Sequence, residues 1–150
     1  MAEPRPSWAM ARRALLLALL ALSGTAQAMP VIDDRGAALN LARAPQRIVT
    51  LLPALAETVC ELGACDRLVG VDQYSNWPDA VRKLPRVGDV DEVRLETILS
   101  LKPDVVLLSA TSRSIARLES LGIPVFGVEL KTLADVRRTQ AQVAQLLQLA

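Results

Sequence analysis

At 150 residues and 51% apolar composition, the chain is long enough for one well-packed domain and too short for two of ordinary size. Its 17 basic and 16 acidic residues nearly cancel and form no long run of like charge, so neither a nucleic-acid partner nor a polybasic membrane patch is predicted. Because the sequence contains no histidine, it offers neither a histidine general base nor a histidine-containing zinc site.

Residues 1–28 have the pattern of a secretory signal peptide. Arg12-Arg13 precede a short apolar run at 14–22, and Ala26-Gln27-Ala28 has the small-residue pattern of a cleavage site. A membrane anchor is the weaker interpretation, because a span needs about 20 apolar residues. We therefore predict cleavage after Ala28 and export of the mature protein to the periplasm.

Residues 29–46 are predicted to form a short entry hairpin around the turn 33–36, where Gly36 supplies a permissive backbone. Strands and helices then alternate. Apolar strands are predicted at 47–52, 68–71, 104–108 and 123–128, and helices begin at Pro53 and near Leu95, Ile115 and Thr132.

This alternation predicts an α/β fold, an open parallel sheet with helices on both faces. Two helix details belong to the same prediction. Glu57 is placed in the first turn of the first helix, where the helix dipole favours an acid. The last helix has a capping-box pattern at 132–135 and no stop residue, so it is predicted to run to the end of the sequence.

Cys60 falls inside the first predicted helix and Cys65 follows its end. An exported protein meets oxidising conditions, under which a local disulfide persists if the turn brings the two Cα atoms within about 7 Å. Two unpaired, partly buried thiols are the alternative. No metal site is predicted from these two sulfurs, since they do not close a zinc shell.

Ligands of open parallel sheets gather at the carboxyl ends of the strands, which here means the loops after Leu52, Val71, Leu108 and Val128. Pro53, in the first loop, is included among the predicted ligand contacts. Residues 109–112 offer hydroxyl groups that suit an anionic or carbonyl group, although helix capping is their commoner use. No catalytic residue is predicted, because the sequence has neither a phosphate loop nor a nucleophile elbow.

Residues 72–78, called here the aromatic loop, follow the second sheet strand. Once the predicted leader is removed, Tyr74, Trp77 and Phe126 are the aromatic residues that remain. Tyr74 and Trp77 flank the polar Ser75 and Asn76 at the ligand end of the sheet, so the loop is predicted to contact a flat ligand. Packing against its own domain stays an alternative for Trp77.

The motifs RIVTLLPALAE (47–57), LVGV (68–71), YSNWP (74–78), LETI (95–98) and LKPD (101–104) resemble the periplasmic substrate-binding proteins for iron chelates and cobalamin in order and spacing. The YSNWP form looks most like the cobalamin-binding members. The resemblance implies two α/β lobes joined by a long bridging helix, with residues 47–150 forming the N-terminal lobe. The second lobe is missing, so a truncated gene product or a fragment is inferred.

The resemblance also implies roles for single residues. Tyr74 would pack against the corrin ring, and Trp77 would be a supporting second aromatic of the loop. Val90 occupies a place where the cobalamin receptor carries a tryptophan, so one stacking surface is missing. Glu96 would dock into an arginine pocket of the membrane permease, whereas its residue-level interpretation is a glutamate favoured by a helix dipole.

Taken together, these features predict the substrate-binding component of an ABC importer, a monomer that delivers cobalamin to its inner-membrane permease without chemical conversion or a cofactor. An iron-siderophore or haem ligand is the alternative within the family. A small exported α/β enzyme, or a non-functional remnant, is the alternative from another class.

Overall fold

A computed structural model describes residues 30–149, and the predicted signal peptide at 1–28 lies outside this range. The elements are β1 (Val31–Ile32), β2 (Ala38–Leu39), β3 (Ile48–Thr50), α1 (Pro53–Glu61), β4 (Leu68–Gly70), α2 (Leu95–Leu101), β5 (Val105–Ser109), α3 (Ile115–Ser120), β6 (Val125–Val128) and α4 (Leu133–Leu146), with short 3₁₀ turns at Cys65–Arg67 and Asp79–Lys83. None of these helices is long and apolar enough to cross a bilayer.

Four strands form a parallel sheet in the order β4-β3-β5-β6, and β1 and β2 form a separate antiparallel hairpin. Both sheets agree with the predicted α/β fold and entry hairpin. The central strands β3 and β5 are buried on both faces, which explains why their sequences are continuously apolar rather than alternating.

The core has two halves, one on each face of the sheet. Along β5, Val105 and Leu107 join the half that contains α1 and α4, while Val106 and Leu108 join the half that contains α2 and α3. The period-2 alternation of a strand thus feeds two separate hydrophobic layers. The helical members of these layers are Leu55, Val59, Val143 and Leu146 on the first face and Ile98, Ile115 and Leu118 on the second.

Two helix predictions were wrong in detail. Glu57 lies beyond the first turn of α1, because the helix begins at Pro53 and no acid occupies its first turn. Helix α4 stops at Leu146 instead of running to the end, since Gln148 adopts φ 52°. The Gln148 N–H donates to the Gln145 carbonyl at 3.0 Å, and the Leu149 N–H donates to the Ala144 carbonyl at 3.0 Å. This is the bond pattern of a Schellman motif.

Cys60 and Cys65 form a disulfide, with their Cα atoms 4.0 Å apart. The turn between them makes this approach possible, because Gly63 ends α1 at φ 79° and lets the chain reverse. The disulfide therefore ties the end of α1 to the 3₁₀ turn that leads into β4. It lies at the start of the strand that precedes the aromatic loop.

The entry hairpin docks on β6, the edge strand of the parallel sheet. The Asp34 N–H donates to the Gly127 carbonyl at 3.0 Å, and the Gly127 N–H donates to the Asp33 carboxylate at 2.9 Å. The Arg35 side chain lies over Gly127, so closely that a Cβ on Gly127 would lie 2.9 Å from the Arg35 Nε. Arg35 also forms ion pairs with Asp33 and Glu119. The hairpin is thus part of the same folded unit as the sheet.

Candidate functional site

A cleft of about 710 Å³ opens at the carboxyl edge of the sheet, where ligands of such folds bind. Its walls come from four places in the sequence. They are the loop after β3 (Leu52, Pro53, Ala54), the turn residues Val90 and Asp91, the loop after β5 (Ser109, Ala110, Thr111, Ser112, Arg113) and the segment after β6 (Val128, Glu129, Leu130, Lys131). Of the predicted ligand contacts, Pro53 lines this cleft directly.

The aromatic loop lies beyond β4 and exposes both of its rings. Tyr74 is 65% exposed and Trp77 is 58% exposed, whereas the third aromatic, Phe126, is fully buried in the core. Trp77 is therefore not buried in the core of its own domain, and its ligand contact stays a prediction. Exposed aromatic faces of this size are the kind of surface that stacks on a flat ligand.

The backbone of the aromatic loop is held from inside. The buried Asp72 carboxylate accepts the N–H groups of Tyr74 and Ser75 at 2.8 and 3.0 Å, together with the Ser75 hydroxyl. Arg86 donates to the carbonyls of Asp72 and Ser75 at 3.1 and 2.7 Å. The Ser75 side chain thus serves the loop itself, and Asn76 remains exposed beside the rings.

A tight turn at residues 88–92 connects the aromatic loop to the cleft. The Gln73 N–H donates to the Gly88 carbonyl at 2.8 Å, and its side-chain amide donates to Asp89. The N–H groups of Glu92 and Asp91 donate to the Asp89 carboxylate and hold its pKa below the usual range. Since Val90 in the same turn lines the cleft, this turn links the aromatic loop to the cleft, and no residue of the loop itself is part of the lining.

The hydroxyl-bearing residues at 109–112 line the cleft, and α3 has no side-chain cap bond at its N-cap residue. The Ser109 and Thr111 hydroxyls are 3.0 Å apart, and both residues line the cleft. Ser112 accepts the Ser114 N–H at 3.3 Å, while Ser114, at the N-cap position, makes no side-chain capping bond. The commoner capping use expected from the sequence is therefore wrong for α3.

The charges that line the cleft balance each other. Arg113 and Lys131 are its cations, and Asp91 and Glu129 are its anions. Lys131 pairs with Glu129, which raises the pKa of the lysine. Within residues 30–149 no cluster of three or more acidic or cysteine ligands could hold a metal ion.

Glu96 lies apart from the cleft lining. It is exposed in the first turn of α2, as the sequence indicates, and the structure leaves its predicted docking role untested. Sequence reasoning missed Arg113 and residues 128–131, although the loops that carry them were recognised. Nothing in their residue types marks them, because a charged residue in a loop is common on any surface.

The profile of the periplasmic binding protein family matches residues 48–150. The chain belongs to this family. The sequence is 30% identical over 110 residues to a vitamin B12-binding protein of Vibrio vulnificus, which covers 71% of this chain and 40% of that relative. The resemblance inferred from the motifs is thereby confirmed.

Solved structures extend this result to the fold of the periplasmic binding protein. The vitamin B12-binding protein BtuF of Vibrio cholerae superposes with a TM-score of 0.63 at 29% identity, covering 71% of this chain and 42% of that one. The heme-binding protein BhuT, solved with two hemes, gives 0.61 at 34% identity over 69% and 41%. The chain thus spans about two fifths of the length of these relatives.

Proposed function

We propose that this chain is the ligand-binding N-terminal lobe of an exported substrate-binding protein that delivers cobalamin, or a related corrinoid, to an ABC importer. The observation that carries the proposal is the exposed ring pair of Tyr74 and Trp77 on a braced loop that is bonded to the turn at 88–92, part of which lines the cleft. Similarity to proteins named as vitamin B12-binding supports the same ligand.

The chemistry of the cleft favours a large, uncharged ligand with a flat apolar face. Two cations and two anions line it, so it presents no strong field for a polyanion. The corrin face of cyanocobalamin suits the aromatic rings, and its peripheral amides suit hydroxyls such as those of Ser109 and Thr111. A haem carries two carboxylates, and many ferric siderophores are anionic.

Haem or an iron-siderophore is the second candidate within the family. A heme-binding structure is 34% identical to this chain, and the exposed phenol of Tyr74 offers an oxygen to a ferric ion. This candidate predicts tighter binding of haemin or of a ferric siderophore than of cyanocobalamin. The balanced charge of the cleft is the feature that ranks it second.

The direct test is a titration of the chain from Met29 onward, in which Trp77 is the remaining tryptophan. Cyanocobalamin should quench Trp77 fluorescence beyond the inner-filter effect measured with free tryptophan amide, and equilibrium dialysis should confirm binding. Tyr74→Ala should weaken binding about tenfold by removing one stacking face. The matched control is Leu133→Ala, because Leu133 is 83% exposed and does not line the cleft.

Quenching by haemin or a ferric siderophore in place of cyanocobalamin would move the protein to the second candidate. The ligand recovered after binding should keep its absorption spectrum, because the proposal involves no chemical change. An altered spectrum would favour the small-enzyme alternative. No binding of any of these ligands, by this chain alone or joined to a second lobe of the family, would favour a remnant without ligand.

The proposal extends to location and partner. The sequence of residues 1–28 supports export to the periplasm, and the family description agrees with that location. Glu96, exposed on α2 away from the cleft lining, is proposed as the docking contact with the inner-membrane permease. The protein is proposed to act as a monomer, with no resident cofactor.

A further inference from the structure

The segment that joins β6 to α4 is one wall of the cleft and belongs to neither element. Its residues Glu129, Leu130 and Lys131 line the cleft, and Val128 anchors the segment by accepting the Ala110 N–H at 2.8 Å. A connection of this kind has no strand or helix ladder of its own, so its shape depends on whatever binds its peptide groups.

Two carboxylates from different elements bind those peptide groups. The Glu129 N–H donates to Asp34 of the entry hairpin at 2.6 Å, and the Lys131 N–H donates to Asp135 of α4 at 3.1 Å. The Asp34 side chain is 8% exposed, so its bonds are shielded from water. The wall of the cleft is therefore held from behind at two points.

Arg138 joins the two carboxylates. Its Nε and Nη2 donate to the two oxygens of Asp34 at 3.0 and 3.1 Å, and its Nη1 donates to Asp135 at 2.6 Å. Nη2 also donates to the Glu129 carbonyl at 3.3 Å. We call Asp34, Asp135 and Arg138 the arginine clamp.

We propose that the arginine clamp is a positioning device that fixes the wall at residues 129–131 in its ligand-ready shape and so makes ligand affinity depend on the entry hairpin. This inference rests on the proposed ligand-binding function of the cleft. It assigns a role in binding to Asp34 and Arg138, which do not line the cleft.

The geometry of the clamp requires a guanidinium. Only a planar fork can donate two parallel bonds to Asp34 while a third N–H group reaches Asp135. A lysine keeps the charge but cannot make all these bonds at once. Loss of Arg138 would also leave the largely buried Asp34 carboxylate without its ion partner. The group that accepts the Glu129 N–H would then be less ordered.

The test compares Arg138→Gln with Arg137→Gln, since Arg137 is an exposed arginine of the same helix with no ion pair within the described range. Amide hydrogen exchange is measured at Glu129 and Lys131 in the ligand-free chain, and cyanocobalamin affinity is measured by equilibrium dialysis. Arg138→Gln should speed exchange at both amides about tenfold or more. It should weaken cyanocobalamin binding about tenfold with the protein still folded, and Arg137→Gln should change neither quantity.

Unchanged exchange at both amides in Arg138→Gln would overturn the clamp. Faster exchange with unaltered affinity would overturn its positioning role and leave a purely structural one. If Arg138→Gln does not fold, Arg138→Lys replaces it, with partial loss expected in both measurements. If the wild-type chain fails to bind cyanocobalamin both alone and joined to a second lobe of the family, the proposed function is contradicted, and the exchange comparison alone then decides whether the clamp holds the wall.

Discussion

A single glycine shapes the turn that joins the aromatic loop to the cleft. Gly88 adopts φ 94°, and a Cβ at this position would lie 2.0 Å from the Glu92 carbonyl oxygen. That same oxygen accepts the Asp89 N–H at 3.0 Å and closes the turn. The turn cannot keep its shape with any other residue at this position, because both the backbone conformation and the space are restricted.

Gly88→Ala is therefore expected to lower the free energy of unfolding by about 2 kcal/mol or more, through strain and a backbone clash. Gly36→Ala is the matched control, since Gly36 also has positive φ but no atom within 4 Å of its added Cβ. The control should cost about 1 kcal/mol, the cost of the left-handed conformation alone. Urea unfolding curves measure both, and equal losses would contradict the clash.

At the residue scale, the sequence predicts exposed side chains better than hydrogen bonds inside the fold. The predicted contacts Tyr74 and Trp77 are exposed. This exposure could be expected from the sequence, because a chain poor in aromatics places two of them in one loop. A serine at position 75 could contact a ligand or bond to Asp72, and the residue type is compatible with both roles. Such a difference arises only when the loop folds, so it could not be predicted from residue type.

At the element scale, the disulfide between Cys60 and Cys65 ties α1 to the turn before β4. Cross-linking so short a loop restricts the unfolded chain and stabilises the fold by about 2 kcal/mol. Replacing both cysteines by serine should lower the free energy of unfolding by that amount. Wild-type protein unfolded in the presence of a reductant should show the same loss, and an unchanged urea midpoint in both would contradict this stabilisation.

Helix α4 begins with a capping box in which Thr132 and Asp135 bind each other's backbone N–H groups. Hydrogen bonds from Arg138 and from the backbone N–H of Lys131 lower the pKa of Asp135 from 3.8 to about 2. A carboxyl whose folded pKa is depressed adds stability that is complete above its unfolded pKa. That stability is lost as the pH falls through the folded value.

The stability of the wild-type chain should therefore decline as the pH is lowered from about 5 towards 2. Asp135→Asn removes this titrating group, so its stability should fall less steeply over the same range. Some slope should remain, because the pKa of Asp34 is lowered as well. Burial raises the pKa of Asp34, but hydrogen bonds from Arg138, Glu129 and Gln142 outweigh that effect. Thermal unfolding at several pH values measures both slopes, and identical slopes would contradict the prediction.

The start of α4 could be predicted from the sequence, whereas its end could not. The start could be predicted, because Thr132 and Asp135 are three residues apart and bind locally. The end could not, because Gln148 takes a left-handed conformation that usually belongs to glycine. Packing of Leu149 against the core accompanies this turn and depends on residues distant in sequence.

At the scale of the whole molecule, the proposed docking residue Glu96 lies outside the lining of the proposed ligand cleft. Glu96→Ala should leave cyanocobalamin affinity unchanged, because Glu96 does not line the cleft. It should slow uptake in a transport assay with the cognate permease, since a surface ion pair contributes mostly to association. Glu57→Ala, at an exposed acid of α1, is the control and should alter neither. Lost affinity in Glu96→Ala would contradict the docking role.

The overall architecture could be predicted as a parallel α/β sheet because apolar strands and amphipathic helices alternate along the sequence. The strand order β4-β3-β5-β6 could not, since it depends on pairings between distant segments. The position of the cleft followed from the fold class, which places ligands at the carboxyl ends of the strands. The wall formed by the segment after β6 could not be predicted, since its shape depends on contacts with the entry hairpin.

The docking of the entry hairpin on β6 also bears on how the protein behaves at high concentration. An exposed edge strand is a template on which another chain can add and begin to aggregate. Here the peptide groups of Gly127 are bonded by Asp33 and Asp34, and the opposite edge carries a bridge between Val71 and Arg86. Because the hairpin already occupies these peptide groups, an approaching strand finds no free donor or acceptor at Gly127, so the hairpin is expected to hinder intermolecular β-addition.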